Sequence, residues 1–194
     1  RVPFVHDGSE TTTAGFDFSI ADGLEHGASA VTGSFDISGT PQNDSPTISV
    51  NTGATVGERL AVTITSSMLN SADPDDNAQG LTYTASNYSN GWIEVNGTIQ
   101  HTFTQDDINN NRVVFQHDSS ETITASFDIS LADGGEHGAG ADTDTFSLTV
   151  TPRNDPPVIT VNTGGTITEG SNLTIINTML AATDDTSAAN DLTW

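Results

Sequence analysis

Between residues 123 and 131 apolar and polar side chains alternate without a break. Ile123, Ala125, Phe127, Ile129 and Leu131 fall on one side, Thr124, Ser126, Asp128 and Ser130 on the other. A period of two marks a β-strand with one buried and one wet face. Phe146, Leu148 and Val150 alternate with Ser147 and Thr149 in the same way. Shorter runs predict strands at Thr47–Val50, Ala61–Thr65, Leu81–Thr84, Trp92–Val95, Thr98–Thr102 and Val113–Gln116, with Gly, Asn and Asp between them. Thirty threonines suit strands better than helices. Helical signals are confined to single turns at Ser66–Leu69 and Thr104–Ile108, the second with Thr104 placed to cap it. The pattern predicts an all-β sandwich of Greek-key topology.

The pattern also repeats. The segment from Arg1 through His6-Asp7-Gly8-Ser9-Glu10-Thr11 returns as Arg112 through His117-Asp118-Ser119-Ser120-Glu121-Thr122, displaced by 111 residues. The same displacement relates Ala21-Asp22-Gly23 to Ala132-Asp133-Gly134, Asn43-Asp44-Ser45-Pro46 to Asn154-Asp155-Pro156-Pro157, and Met68-Leu69 to Met179-Leu180. No gap interrupts it, so the chain reads as a tandem array of one folded unit. Prolines around Thr151-Pro152-Arg153-Asn154-Asp155-Pro156-Pro157 exclude helix and stiffen an extended connection. The expected division is the C-terminal part of a first repeat at 1–44, a complete repeat at 45–155 and the N-terminal part of a third at 156–194. The chain opens at Arg1 within a strand-like run and without a signal-like leader, which suggests a piece of something longer.

Charge sharpens the picture. Four basic residues stand against 26 acids for a formal net charge of −22, and both lysine and cysteine are missing. Such a surface repels phosphate backbones and anionic lipid, which argues against nucleic acid and membrane surfaces as partners. No apolar run is long enough to suggest membrane insertion. Missing cysteine removes disulfides, thiolate metal sites and thiol nucleophiles. Missing lysine removes P-loop chemistry, Schiff bases and Lys–Asn isopeptide cross-links. Charged residues make up 15% of the chain, below the roughly 25% usual in globular domains. The acidity therefore comes from placed acids without protein counter-ions.

Those acids gather at loop positions. Asp7 and Glu10 precede a predicted strand, and Asn43 and Asp44 lie in the connection between units. Glu58 follows the first strand of the middle unit, Asp73-Pro74-Asp75 sits in a loop after Met68-Leu69, and Asp133 follows the alternating strand. Oxygen-only donors on loops are what calcium requires, six to eight hard ligands in an adaptable cage. Nitrogen and sulfur donors for zinc or copper are missing from these groups.

The string Phe103-Thr104-Gln105-Asp106-Asp107-Ile108, the run from Arg112 to Thr122, Ala132-Asp133-Gly134 and Asn154-Asp155-Pro156-Pro157 together resemble cadherin-like repeats of the CSPG/FRAS1 type. Such repeats are common in very large bacterial surface adhesins with RTX tails. The resemblance implies calcium at the junction between consecutive repeats. It assigns Asp7, Glu10, Asn43, Asp44, Asp73, Asp75 and Asp133 to a first junction. It assigns Glu58, Asp118, Glu121, Asn154, Asp155 and Asp184 to a second. There Thr186 stands where Asp75 stands in the first, and adjacent Asp185 is the substitute. The partners implied are neighbouring repeats of the same chain, and the setting is extracellular or at a cell surface. The function implied is a calcium-rigidified extender of a large adhesin.

Other readings compete for individual residues. Asp and Asn in sandwich loops often serve as turn formers. Asp106 and Asp107 are expected to cap a turn, and His6 and His117 to pack or hydrogen-bond within their motif. His26 and His137 fall in Gly-rich loops with no role beyond the surface. Trp92 and Tyr83 are core or rim candidates, with a glycan platform at Trp92 as the alternative function. Asn87, Asn96 and Asn172 head N-x-Ser/Thr triplets. An enzyme would have to use a carboxylate pair such as Asp106 and Asp107, and a repeated array is a poor way to build one active site.

Overall fold

The computed structural model describes residues 1–23, 27, 29–135, 140–185 and 192–193, so His26, His137 and Thr186 lie outside the described residues. The first repeat contributes β1 (Thr13–Ile20) and β2 (Val31–Ser38). The middle repeat begins with β3 (Thr47–Asn51), β4 (Ala54–Gly57), β5 (Ala61–Thr63), β6 (Leu69–Ala72), β7 (Thr82–Ser89) and β8 (Gly91–Val95). It continues through β9 (Thr98–Ile99), β10 (Thr102–Thr104), α1 (Gln105–Asn109), β11 (Val113–His117), β12 (Thr124–Ala132) and β13 (Asp142–Thr151). The third repeat contributes β14 (Val158–Asn162) and β15 (Leu180–Thr183).

The middle repeat is a β-sandwich. One sheet has the order β10-β7-β12-β13-β4 and the other β5-β11-β8-β9, with β3 and β6 paired beside them. Among the described residues all pairings are antiparallel except β13 with β4. The inward residues of β12, Ala125, Phe127, Ile129 and Leu131, are all buried, as the alternation requires. Phe127 stacks on Phe146 at 5.2 Å within its own sheet and on Phe115 of the facing sheet at 6.0 Å. This aromatic line ties the two sheets across the core.

Ser66–Leu69 closes as a single turn, the amides of Met68 and Leu69 donating to Thr65 O at 2.9 and 3.0 Å, and Leu69 then enters β6 because its side chain is drawn wholly into the core. One expectation needs correction. Thr98–Thr102 is not one strand, because β9 pairs with β8 in the small sheet and β10 with β7 in the large one. The chain crosses between sheets at Gln100 and His101. The other predicted turn is a short helix, capped by Thr104, whose side chain accepts from the Asp107 amide while the Asp107 carboxylate accepts from Thr104 N.

The repeat extends to backbone detail. β1 and β2 pair Phe16 with Phe35, as β12 and β13 pair Phe127 with Phe146. The irregularity between Ile48 and Val50 in β3 recurs between Ile159 and Val161 in β14. Among the described residues no helix is long and apolar enough to cross a membrane.

Candidate metal centres between the repeats

Each repeat is delivered to its neighbour by the same local devices. The loop after β11 is organised by His117, which is buried: its Nδ1 accepts from Ser119 N at 3.2 Å and its Nε2 lies 3.4 Å from Thr122 Oγ1. Within that loop Asp118 Oδ1 accepts from Ser120 N at 3.0 Å. The preceding repeat copies this arrangement. Gly8 N donates to His6 Nδ1 at 3.2 Å, Thr11 Oγ1 lies 3.4 Å from His6 Nε2, and Ser9 N donates to Asp7 Oδ1 at 3.1 Å. Asp7 and Asp118 are thus used to fold their own turns, and in each case the next acid along, Glu10 or Glu121, is the one aimed at the junction.

At the first junction carboxylate oxygens of Glu10, Asp44 and Asp75 all lie within 4.8 Å of one another. Asp73 folds the loop that carries Asp75: its Oδ1 accepts from the amides of Asp75 and Asp76 at 2.8 and 2.9 Å, while its Oδ2 is buried without a hydrogen-bond partner. Two bonds tie the linker to the middle repeat, Asp44 N to Asp75 Oδ2 and Asn43 Nδ2 to Asp133 Oδ2, each 2.7 Å. Asp133 meets the site through that amide and is not one of the three close acids. Its carboxyl is held below its ordinary value by the Gly135 amide and by Asn43, against loss of solvent.

The second junction brings Glu58, Glu121 and Asp185 within 4.8 Å of one another. Glu58 is carried there by the β4–β13 ladder, which its own amide extends with a bond to Thr151 O at 2.9 Å. Its side chain is fully buried; Oε2 accepts from Arg153 N at 3.0 Å, while Oε1 has no hydrogen-bond partner. The linker amide of Asp155 donates to Asp185 Oδ1 at 3.2 Å, and Asn154 Nδ2 donates to Asp155 O at 3.0 Å. Asp155, Asp184, Asp185 and Glu121 line one cavity together with Arg59, whose Nη1 pairs with Asp155 Oδ1. Arg59 was not singled out in the sequence; its only signal is that the equivalent position, 170, is glycine.

Electrostatics reflect the crowding. Glu121 is held above its ordinary value by loss of solvent and by the charges of Glu58, Asp185 and Asp155. Glu10 is raised in the same direction, by loss of solvent, by a hydrogen bond with Asp75 and by the charges of Asp75 and Asp44. Close carboxylates that resist ionising together are a chemical invitation to a hard cation.

Elsewhere, Trp92 is half-buried with its Nε1 donating to Glu94 Oε1 at 2.9 Å, and Tyr83 is a core residue whose hydroxyl burial pushes up to about 12. Asp106 and Asp107 both pair with Arg112.

A nearly all-β chain with one complete sandwich, flanked on both sides by proline-flanked acidic connections to matching two-stranded segments, is the class of protein these features define. Residues 46–151 match the family described as Cadherin-like, and the chain belongs to that family. Extracellular matrix organizing protein FRAS1 of Homo sapiens is 34% identical over 141 residues, covering 69% of this chain and 3% of its own. FRAS1-related extracellular matrix protein 2 of Homo sapiens is 32% identical over 200 residues, covering 100% of this chain and 6% of its own. Chondroitin sulfate proteoglycan 4 of Rattus norvegicus is 34% identical over 137 residues, covering 69% and 6%. The chain therefore spans only a few per cent of these relatives. A solved structure of protocadherin gamma B7 extracellular cadherin domains 1–4 aligns with a TM-score of 0.45 at 15% identity, covering 91% of this chain and 42% of that one.

Proposed function

We propose that this chain is an extracellular extender: tandem cadherin-like repeats of a large adhesive or matrix protein, held at fixed angles by calcium at their junctions. The observation that carries the reading is a pair of buried carboxylate oxygens that accept no hydrogen bond, Glu58 Oε1 and Asp73 Oδ2, one at each junction; Arg59 Nε approaches the first only to 3.8 Å. A buried carboxylate oxygen without a partner is costly, and a hard divalent cation supplies what hydrogen bonding does not. The donor set fits that ion, since the acids gathered at both junctions offer oxygen alone. The names of the FRAS1 relatives place those proteins in the extracellular matrix, and millimolar affinities suit such a setting.

At the first junction Glu10, Asp44, Asp73 and Asp75 would hold the ion, with Asn43 and Asp133 steadying the linker. At the second, Glu58, Glu121, Asp155 and Asp185 would do so, with Asp184 and Asn154 beside them. Asp7 and Asp118 shape the loops that present Glu10 and Glu121. Calcium would supply positive charge where acids outnumber bases, Arg59 being the one guanidinium among the described residues that line the cavity of the second junction. Without it the junction carboxylates repel, and the connections between repeats rest on the few linker hydrogen bonds and the Arg59–Asp155 pair. No catalytic step is assigned to the chain, because Asp106 and Asp107 are both committed to Arg112.

The test is thermal melting and small-angle scattering of the 194-residue chain in calcium and in chelator. Calcium should raise the melting temperature by mass action and narrow the spread of molecular dimensions. Superimposable melting curves and scattering profiles would defeat the reading.

A further inference from the structure

Two of the chain's four basic residues meet Glu58: Arg153 through its amide, and Arg59 through a guanidinium whose Nε lies 3.8 Å from Glu58 Oε1. The Arg59 side chain then reaches the linker, where Nη1 pairs with Asp155 Oδ1. It lines the same cavity as Glu121, Asp184 and Asp185. A second mark of a ligand site lies beside that cavity: Glu58 is fully buried with one oxygen that accepts no hydrogen bond, and its carboxylate lies within 4.8 Å of those of Glu121 and Asp185.

Arginine is an unusual choice here. Its φ is 59°, in the left-handed region where side chains other than glycine are strained. The equivalent residue of the next repeat is Gly170, with φ 79°, and it follows Glu169 as Arg59 follows Glu58. The left-handed turn is thus a property of the repeat, and glycine is the residue that suits it. What arginine adds at that turn is a positive charge.

Building on the cation reading above, we infer that Arg59 is a tethered counter-charge of the second junction, competing with a divalent cation for Asp155 and Glu58. With the guanidinium in place the junction carries one negative charge fewer, and Asp155 must leave its partner before it can serve the ion. The same pair keeps linker and repeat in contact when calcium is withdrawn. Residue 59 is therefore a setting for each repeat: arginine gives a junction that fills late and loosens little, glycine one that fills early and loosens fully. A unit charge about 4 Å away in a solvated site changes a dissociation constant by roughly five- to tenfold.

The experiment is calorimetric titration of calcium chloride into the full chain and into Arg59→Gly and Arg59→Gln, with melting curves in chelator. Both variants should bind one class of sites roughly five- to tenfold more tightly, with the first junction as internal reference. Arg59→Gln should melt lower than the parent in chelator, having lost the Asp155 pair and kept the strained turn. Parent and variants binding alike would overturn the role of Arg59 and leave the cation reading standing. Tightening in Arg59→Gly alone would overturn it too, showing relief of strain in place of charge. No binding by parent or variants would defeat the cation reading itself and this inference with it.

Discussion

The amide of Asp155 donates to Asp185 Oδ1 in the same way that the amide of Asp44 donates to Asp75 Oδ2. The two acceptors are not equivalent in the repeat, since Asp75 aligns with Thr186 and Asp185 with Pro74. A shift of one residue along the loop has been absorbed without loss of the linker contact. Asp185→Asn should therefore remove calcium-dependent stabilisation of the second junction, as Asp75→Asn should at the first. Melting each variant with and without calcium checks this; an undiminished increment in Asp185→Asn would reject the equivalence.

Glu58→Gln separates the cost of a buried charge from its use. The amide keeps an oxygen for Arg153 N, which Glu58 Oε2 now accepts, and it no longer buries a carboxylate with an unpartnered oxygen. In chelator the variant should be at least as stable as the parent, and in calcium it should be less stable. A loss of stability in chelator would show the carboxylate to be satisfied without a cation.

Asp107 offers a test unconnected with cations. Burial opposes its ionisation, but bonds from Thr104 N, the Arg112 guanidinium and Thr104 Oγ1 outweigh that and lower its pKa from the ordinary 3.8. Its folded-state value lies below its unfolded one, so its contribution is present above 3.8 and lost as pH falls through the folded value. Asp107→Ala should cost about 1–2 kcal/mol from the lost cap and the lost Arg112 partner. Urea unfolding between pH 7 and pH 3 should show parent and variant converging at the acid end; a constant difference would reject the assignment.

Gln105 is buried and polar, and its Oε1 accepts from Ser71 N, Ser71 Oγ and Tyr83 OH at 2.9, 2.9 and 3.0 Å. Replacing it by Leu leaves the Ser71 amide buried and unpaired, at a cost of about 1–3 kcal/mol. Equilibrium unfolding gives the number, and a neutral effect would mean that the amide finds another acceptor.

Much of the sandwich was legible because β12 and β13 are each buried on one face and wet on the other, which writes itself as alternation. β4 and β6 were not. Short Ala54–Gly57 has no alternation to show and exists by pairing parallel to β13, while β6 buries Ser71 through the contact with Gln105. The division of Thr98–Thr102 depends on which sheet each half joins, a tertiary fact. At the junctions the acids were legible through repetition, but the division of labour was not. Asp7 and Asp118, read as ligands in the sequence, each use one oxygen to close a turn, which only the fold shows. Arg59 was hidden because a lone arginine carries no pattern.

The parallel pairing of β4 with β13 joins a strand near the start of the repeat to the strand that leaves it. When the array is pulled from its ends, these two strands slide lengthwise in opposite directions. The rungs from Ala54–Leu148 to Gly57–Thr151 then bear load together, in shear, rather than opening one after another like a zipper. The middle repeat thus has a mechanical clamp in line with the tether, and Glu58, the residue just beyond its last rung, is placed to pass that tension to the next junction. Stretched singly by atomic force microscopy, repeats should yield in separate high-force events, one per sandwich. A smooth low-force extension would instead mean that the clamp does not carry the load.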